Sequence, residues 1–248
     1  MPKLPRTQCI GVVENTDPSF HIDDIFSNLY PGNIIITKRL TNPLIDKLIE
    51  NKDKCILHLT VTGMGGTKVE PFTPTVEQTL AKFITLTAKG FPIENVVLRV
   101  DPIIPTERGW ANVERVMSAF GDSGIKRLRF SILDMYPHVM DRFESLGFPL
   151  PFKTFHAPLE TRLEIRDRLL KYGEQYGFEV EACGEPGIDS IPCLSQKDID
   201  ILGLGDTIKL VGSAGQRENC KCPANKKSLY TGKPERCQNS CVYCYWKD

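Results

Sequence analysis

An α/β fold is predicted for this chain: a parallel sheet with helical crossovers, closed or partly closed into a barrel. Three observations point to it. Short apolar runs alternate with amphipathic stretches over most of the sequence. The apolar runs end in polar residues, as barrel strands do where they meet a functional rim. The length of 248 residues suits one large barrel-sized domain.

The elements follow in order. Strands are expected at Gln8 to Val13, Asn33 to Lys38, Cys55 to Thr62, Asn95 to Asp101, Arg127 to Asp134, Phe178 to Glu185 and Thr207 to Gly212. Asn42-Pro43 supplies a cap and first turn for one helix. Thr75 with Gln78 forms a capping box for the next, which runs to about Lys89. From Leu159 to Tyr176, the residues Leu159, Leu163, Leu170 and Tyr176 fall near helical spacing on one face.

Composition narrows the function. Hydrophobic residues make up 41% and charged residues 25%, with 31 basic against 31 acidic side chains, so no long-range field draws the whole chain to nucleic acid or membrane. The N-terminal residues lack the apolar core of a secretory signal, and no apolar run is long enough to cross a bilayer. A cytoplasmic protein without membrane contact is expected, and there clustered cysteines read as metal ligands rather than disulfides. From Arg217 to Asp248 seven basic residues face three acidic ones. That excess reads as a neutralising collar for thiolates or a solvated surface, with a phosphate-binding patch as the alternative.

The strand ends supply the candidate site: Thr37 and Lys38, Thr60 and Thr62, Arg99 and Asp101, Ser131 and Asp134, Cys183 and Glu185, then Ser213. In a barrel they share one mouth. Each also has a structural reading, as a helix cap, a snorkelling cation or a turn former. Arg99 and Asp101 lie on one face of their strand and suit a mutual ion pair as well as a ligand contact. Glu185, between Gly184 and Pro186, is the best acidic candidate because its small neighbour lets a ligand approach the backbone. The loop Thr62 to Thr67, rich in glycine, reads as a lid. His58 reads as a core residue, and Cys9 and Cys55 as buried structural thiols.

Five of the nine cysteines fall in the last 29 residues, three of them as Cys237-x3-Cys241-x2-Cys244 with Tyr243 before the last. Three close thiolates suit three corners of a cubane iron-sulfur cluster, leaving the fourth iron open to bind a small molecule. A zinc site remains the alternative, and Cys220-x-Cys222 upstream leaves the ligand set open. Cys183, Cys193, Cys220 and Cys222 are enough for a second iron-sulfur cluster or a tetrahedral zinc site.

The spacing Cys237-x3-Cys241-x2-Cys244 with Tyr243 resembles the signature of the radical S-adenosylmethionine enzymes. In those enzymes three cysteines hold a 4Fe-4S cluster, which usually follows the first strand. Here the cysteines come last. The chain looks like an uncharacterised family with a C-terminal cluster of this kind, through Thr60 to Gly63, Arg99 to Ile103, Ser131 to Tyr136, Cys183 to Glu185, and Cys220 with Cys222.

The resemblance implies a circularly permuted partial (β/α)6 TIM-like barrel of the radical S-adenosylmethionine type, with residues 1–213 as barrel and 214–248 as a cysteine-rich segment packed on its mouth. It implies a 4Fe-4S cluster on Cys237, Cys241 and Cys244 and S-adenosylmethionine as cosubstrate. The expected cosubstrate contacts are Tyr243, Glu185, Arg99, Asp101, Ser131 and Thr62. A reducing partner such as flavodoxin or ferredoxin is expected, acting with an unknown substrate that is a small molecule, a nucleotide or nucleic acid. The competing readings are a zinc-stabilised nucleic-acid-binding module with a basic C-terminal tail, and an ordinary barrel enzyme whose cysteines staple the C-terminus.

Overall fold

The computed structural model describes residues 4–214, 219–233 and 235–247. Its strands are β1 (Ile10–Val13), β2 (Gly32–Thr37), β3 (Cys55–Thr60), β4 (Val96–Ile103), β5 (Arg127–Ile132), β6 (Glu179–Ala182) and β7 (Lys226–Ser228). The α-helices are α1 (Ile22–Ser27), α2 (Asn42–Glu50), α3 (Val76–Ala88), α4 (Glu107–Phe120), α5 (Pro137–Ser145), α6 (Leu159–Tyr176) and α7 (Gln196–Ile201). All seven strands run parallel in one sheet, in the order β6-β5-β4-β3-β2-β1-β7.

The period-two alternation of strand side chains gives the sheet two unlike faces. On one, Ile35, Leu57, Leu98 and Leu128 pack with Leu44 and Leu48 of α2, Phe83 of α3, Val116 and Phe120 of α4 and Leu169 of α6. On the other, Ile10, Val12, Ile34, Ile56 and Val97 meet Leu194, Ile199 and Ile208 from the stretch that follows β6. This second face turns polar along β4 to β6. Arg127 donates to Asp198 at 2.8 Å, while Arg129 donates to Glu181 at 2.5 Å and to the Cys193 carbonyl at 2.9 Å. Arg129 is fully buried, so its charge is held by this pairing. Strands β6 and β7 are the sheet edges, yet Cys183, just past β6, packs against Cys222, just before β7. The edges therefore approach one another.

The capping box at Thr75 and Gln78 forms as the sequence predicts, with both reciprocal hydrogen bonds present. Four expectations need correction. Thr207 to Gly212 is not a strand of the sheet; Val211 accepts a hydrogen bond from Ala224 and Ala214 donates to Cys222, so this stretch runs beside the approach to β7. The seventh strand is Lys226–Ser228, in the segment expected to pack on the mouth. The cap of α2 is Thr41, whose hydroxyl accepts from Leu44 N–H, with Asn42 and Pro43 inside the helix.

On α6 the buried face is Arg162, Ile165, Leu169 and Gly173, whereas Leu159 and Leu170 are exposed. Gly173 is needed because a Cβ there would come within 2.8 Å of the Phe178 carbonyl oxygen and of Val180. No helix among the described residues is long and apolar enough to cross a membrane.

Removing one partner of a buried ion pair strands the other charge away from water. Arg129→Met is therefore expected to lower unfolding stability by about 3–5 kcal/mol, measured by urea denaturation. A loss within error of zero would show that Glu181 is satisfied without it.

Candidate active site

The last inward side chains of the strands converge because alternate residues of a strand share a face. Glu14 past β1, Lys38 past β2, Thr60 of β3, Arg99 and Asp101 of β4, Ser131 of β5, Cys183 past β6 and Ser228 of β7 line one cavity of about 690 Å³. Thr37 and Asp134 also face it. Cys237, Cys241 and Cys244 line it too, with Tyr243, Tyr245 and Trp246. A separate shallow groove beside Leu163, Asp167 and Arg168 of α6 has no strand end or cysteine in its lining.

The cysteine loop is fixed mainly through its backbone. Arg142 of α5 donates to the carbonyls of Cys244 at 2.6 Å and Trp246 at 2.9 Å, and Val242 N–H donates to Val69 at 3.0 Å. Ser240 adopts φ +51°, a left-handed turn between Cys237 and Cys241. Buried Asp17 connects the loop to the sheet. Its carboxylate accepts from Ser19 N–H, Lys38 N–H, the Thr37 hydroxyl and the Asn239 amide, at 2.9–3.1 Å. Behind the loop, Cys241, Val242 and Tyr243 pack on Met64, Met135, Val139 and Phe143.

The cavity carries both signs of charge. Lys38 donates to Glu70 at 3.1 Å and to the Asp101 carbonyl at 3.2 Å, and its ammonium lies 5.3 Å from the centre of the Tyr243 ring. Burial works against that charge, but Glu70, Cys241 and Asp101 hold its pKa above the usual lysine value. Asp101 pairs with Arg99 and accepts from the Ser131 hydroxyl. Burial opposes its ionisation, and Arg99 and Ser131 overcome this and hold its carboxyl below the ordinary range. Burial raises the thiols of Cys237, Cys241 and Cys244. They stay protonated at neutral pH until a cation draws off the protons.

The other four cysteines also meet. Cys183 and Cys193 have their sulfurs 3.3 Å apart, Cys193 is hydrogen-bonded to Cys222, and Cys222 to Cys220. A hydrogen bond from Cys222 lowers Cys220 to about 6. Among the described residues, no three His, Cys, Asp or Glu side chains already surround one point closely enough to grip a metal ion. The two thiol sets fit a metal by their donor chemistry and convergence on one cavity, not by a finished cage.

Most of the strand-end set is brought together as expected. Thr62 and Glu185 are buried outside the cavity lining. The Thr62 hydroxyl accepts from Met64 N–H at 3.2 Å and shapes the loop, while a Glu185 oxygen accepts from Ile132 N–H at 2.7 Å. Ser213 is exposed and not part of the lining. Of the loop Thr62 to Thr67, Thr62 to Met64 are buried, with Met64 packed on the cysteine loop, and Gly65 to Thr67 are half-buried or exposed.

His58 is a core residue, as expected. Burial, then Arg129 and Arg99, keep its ring neutral, with Nδ1 3.3 Å from Arg99. Cys9 and Cys55 are buried, and burial raises Cys55 to about 12. Of the basic tail, Arg217 lies outside the described residues, whereas Lys226 pairs with Glu14 and Lys221 with Asp189. Sequence reasoning missed Glu14, Asp17 and Asn239. Asp17 has a local mark as the cap that accepts from Ser19 N–H, but the partners that tie these residues to the site lie far away along the chain.

Asp17→Ala removes one acceptor shared by strand and loop. A destabilisation of about 1.5–3 kcal/mol is expected, with faster amide exchange at Val242 than in the parent. Unchanged exchange there would mean that Arg142 alone fixes the loop.

Comparison with known proteins places these features in a family. No curated protein matches the chain significantly. A family model described as a domain of unknown function (DUF1848) matches residues 32–246, which takes in β2 through the cysteine loop. The chain belongs to that family.

Proposed function

We propose that the protein is a radical S-adenosylmethionine enzyme in which Cys237, Cys241 and Cys244 hold a 4Fe-4S cluster at the mouth of a circularly permuted partial (β/α) barrel. One observation carries the reading. The cysteine loop leaves β7, which pairs with β1 at the sheet edge, so a count starting at β7 makes the spatial order of the strands sequential. In that order the cysteines follow the first strand, where the resemblance expects them. The reading also agrees with the convergence of all three thiols on a cavity within the range of ligand-holding pockets, about 300–1,000 Å³.

When bound and reduced, such a cluster supplies the electron that cleaves S-adenosylmethionine to methionine and a 5'-deoxyadenosyl radical, which takes hydrogen from a substrate. The chain's own residues prepare the place. Lys38, charged and close to Cys241, offsets thiolate charge in a partly dry site. Asp101 and Ser131 present a carboxylate and a hydroxyl suited to the ammonium or ribose hydroxyls of the cosubstrate. Arg99 holds Asp101 ionised. Tyr243, buried against Met64 and Met135, closes the back of the loop to water. Thr62 and Glu185 act one step away, shaping the loop after β3 and the end of β5. Cys237 and Cys244 are half-buried, leaving an edge that an electron donor of the flavodoxin or ferredoxin kind can reach. The substrate belongs with small molecules or nucleotides that fit beside the cosubstrate.

Anaerobic reconstitution of the full chain should load about four irons and four sulfides, and Cys237→Ala, Cys241→Ala and Cys244→Ala should each abolish the brown charge-transfer absorbance. A full complement retained in all three variants would sink the assignment. Asp101→Asn should weaken S-adenosylmethionine binding about tenfold, the equivalent of one charged hydrogen bond. Unchanged affinity would return Asp101 to a purely structural pair with Arg99.

A further inference from the structure

We propose that Cys183, Cys193, Cys220 and Cys222 form a second metal site, a four-thiolate zinc site that clasps the two open edges of the sheet together. The cysteines come from three separate stretches of chain, yet Cys183, Cys193 and Cys222 make one buried cluster with Cys220 packed against it. Their sulfurs form an unbroken series of contacts, from Cys183 to Cys193, Cys193 to Cys222 and Cys222 to Cys220. Four thiols gathered from three separate stretches into one packed cluster are more than core packing requires, since any small apolar side chain would fill such volume.

The Cys183–Cys193 spacing favours a single ion as the occupant. The Cys183 and Cys193 sulfurs are 3.3 Å apart, well beyond the roughly 2.05 Å of a disulfide. A tetrahedral ion with sulfur ligands at about 2.3 Å sets them about 3.8 Å from one another. A cubane cluster binds each thiolate to a different iron and would spread them further. The four sulfurs do not yet surround one point, so closure asks for rotation of these thiols about the ion.

The surrounding charge fits as well. Four thiolates on a divalent ion leave a net charge of about −2. Two cations reach the set: Arg99 NH1 lies 3.7 Å from the Cys193 sulfur, and Lys226 Nζ lies 3.6 Å from the Cys222 sulfur. Each can donate an N–H to a metal-bound thiolate, the kind of outer contact that orients ligands and tunes affinity. Binding would release the remaining thiol protons to solvent.

The position gives the site its role. Cys183 directly follows the edge strand β6, and Cys220 and Cys222 lead into the opposite edge strand β7. A metal held by both closes the seam between edges that share no ladder. It also fixes the strand from which the cysteine loop departs.

The test uses the full-length Cys237/Cys241/Cys244 triple alanine variant, so its outcome does not depend on the radical-enzyme reading. Elemental analysis should find about one zinc per chain, and X-ray absorption should show about four sulfurs at 2.3 Å. Cys220→Ser in that background, at the least buried of the four ligands, should replace one sulfur of the shell with a lighter atom and lower the melting temperature. A folded triple variant with no metal would overturn the proposal. So would stoichiometric iron with acid-labile sulfide, which would put a cluster there, or a four-sulfur shell unchanged by Cys220→Ser.

Discussion

Parallel pairing of β7 with β1 decides where every cysteine near the C-terminus can reach. β7 is only Lys226–Ser228, too short to hold itself by ladder bonds. Its place is secured by the side chains around it. Asn225, fully buried, donates to the carbonyls of Gln8 and Lys209 and accepts from Val211 N–H, while Lys226 reaches Glu14 just past β1. Because the pairing is parallel, the chain leaves β7 at the same end of the sheet as it leaves the other strands. The cysteine loop must then descend over the cavity, where Asp17 and Arg142 receive it.

Much of this architecture can be read from the sequence, for a physical reason. Strands β1 to β3 are mainly apolar runs covered on both faces, and such runs stand out in a sequence. The capping box of α3 is a local pattern and forms as one. β7 could not be found this way, because Lys-Lys-Ser carries no apolar signal and takes its strand conformation from long-range pairing. Thr207 to Gly212 failed in the opposite sense, having the look of a strand while its neighbour, the approach to β7, lies outside the ladder. α6 was legible in extent but not in facing. It comes near Val180 of β6 at Gly173, which carries no hydrophobic signal.

The site divides in a similar way. The three-cysteine spacing and the polar strand ends were visible because their pattern is local or periodic. Glu14, Asp17 and Asn239 were not, because each joins the site through partners on distant elements. Glu185 shows the limit of a plausible local argument. Its small neighbour suggested close approach of a ligand, whereas the contact seen is with the backbone of β5, through Ile132 N–H. Along β4 and β5 the interior charges are paired: Arg99, Arg127 and Arg129 are each buried beside a carboxylate, which lets a polar cavity sit beside an otherwise apolar core.

The most direct test of the account is the electron paramagnetic resonance spectrum of the reconstituted, reduced protein before and after addition of S-adenosylmethionine. If three thiolates leave one iron open, the cosubstrate should change the signal and 5'-deoxyadenosine should follow. An unchanged spectrum and no 5'-deoxyadenosine, in protein carrying a complete cluster, would contradict it.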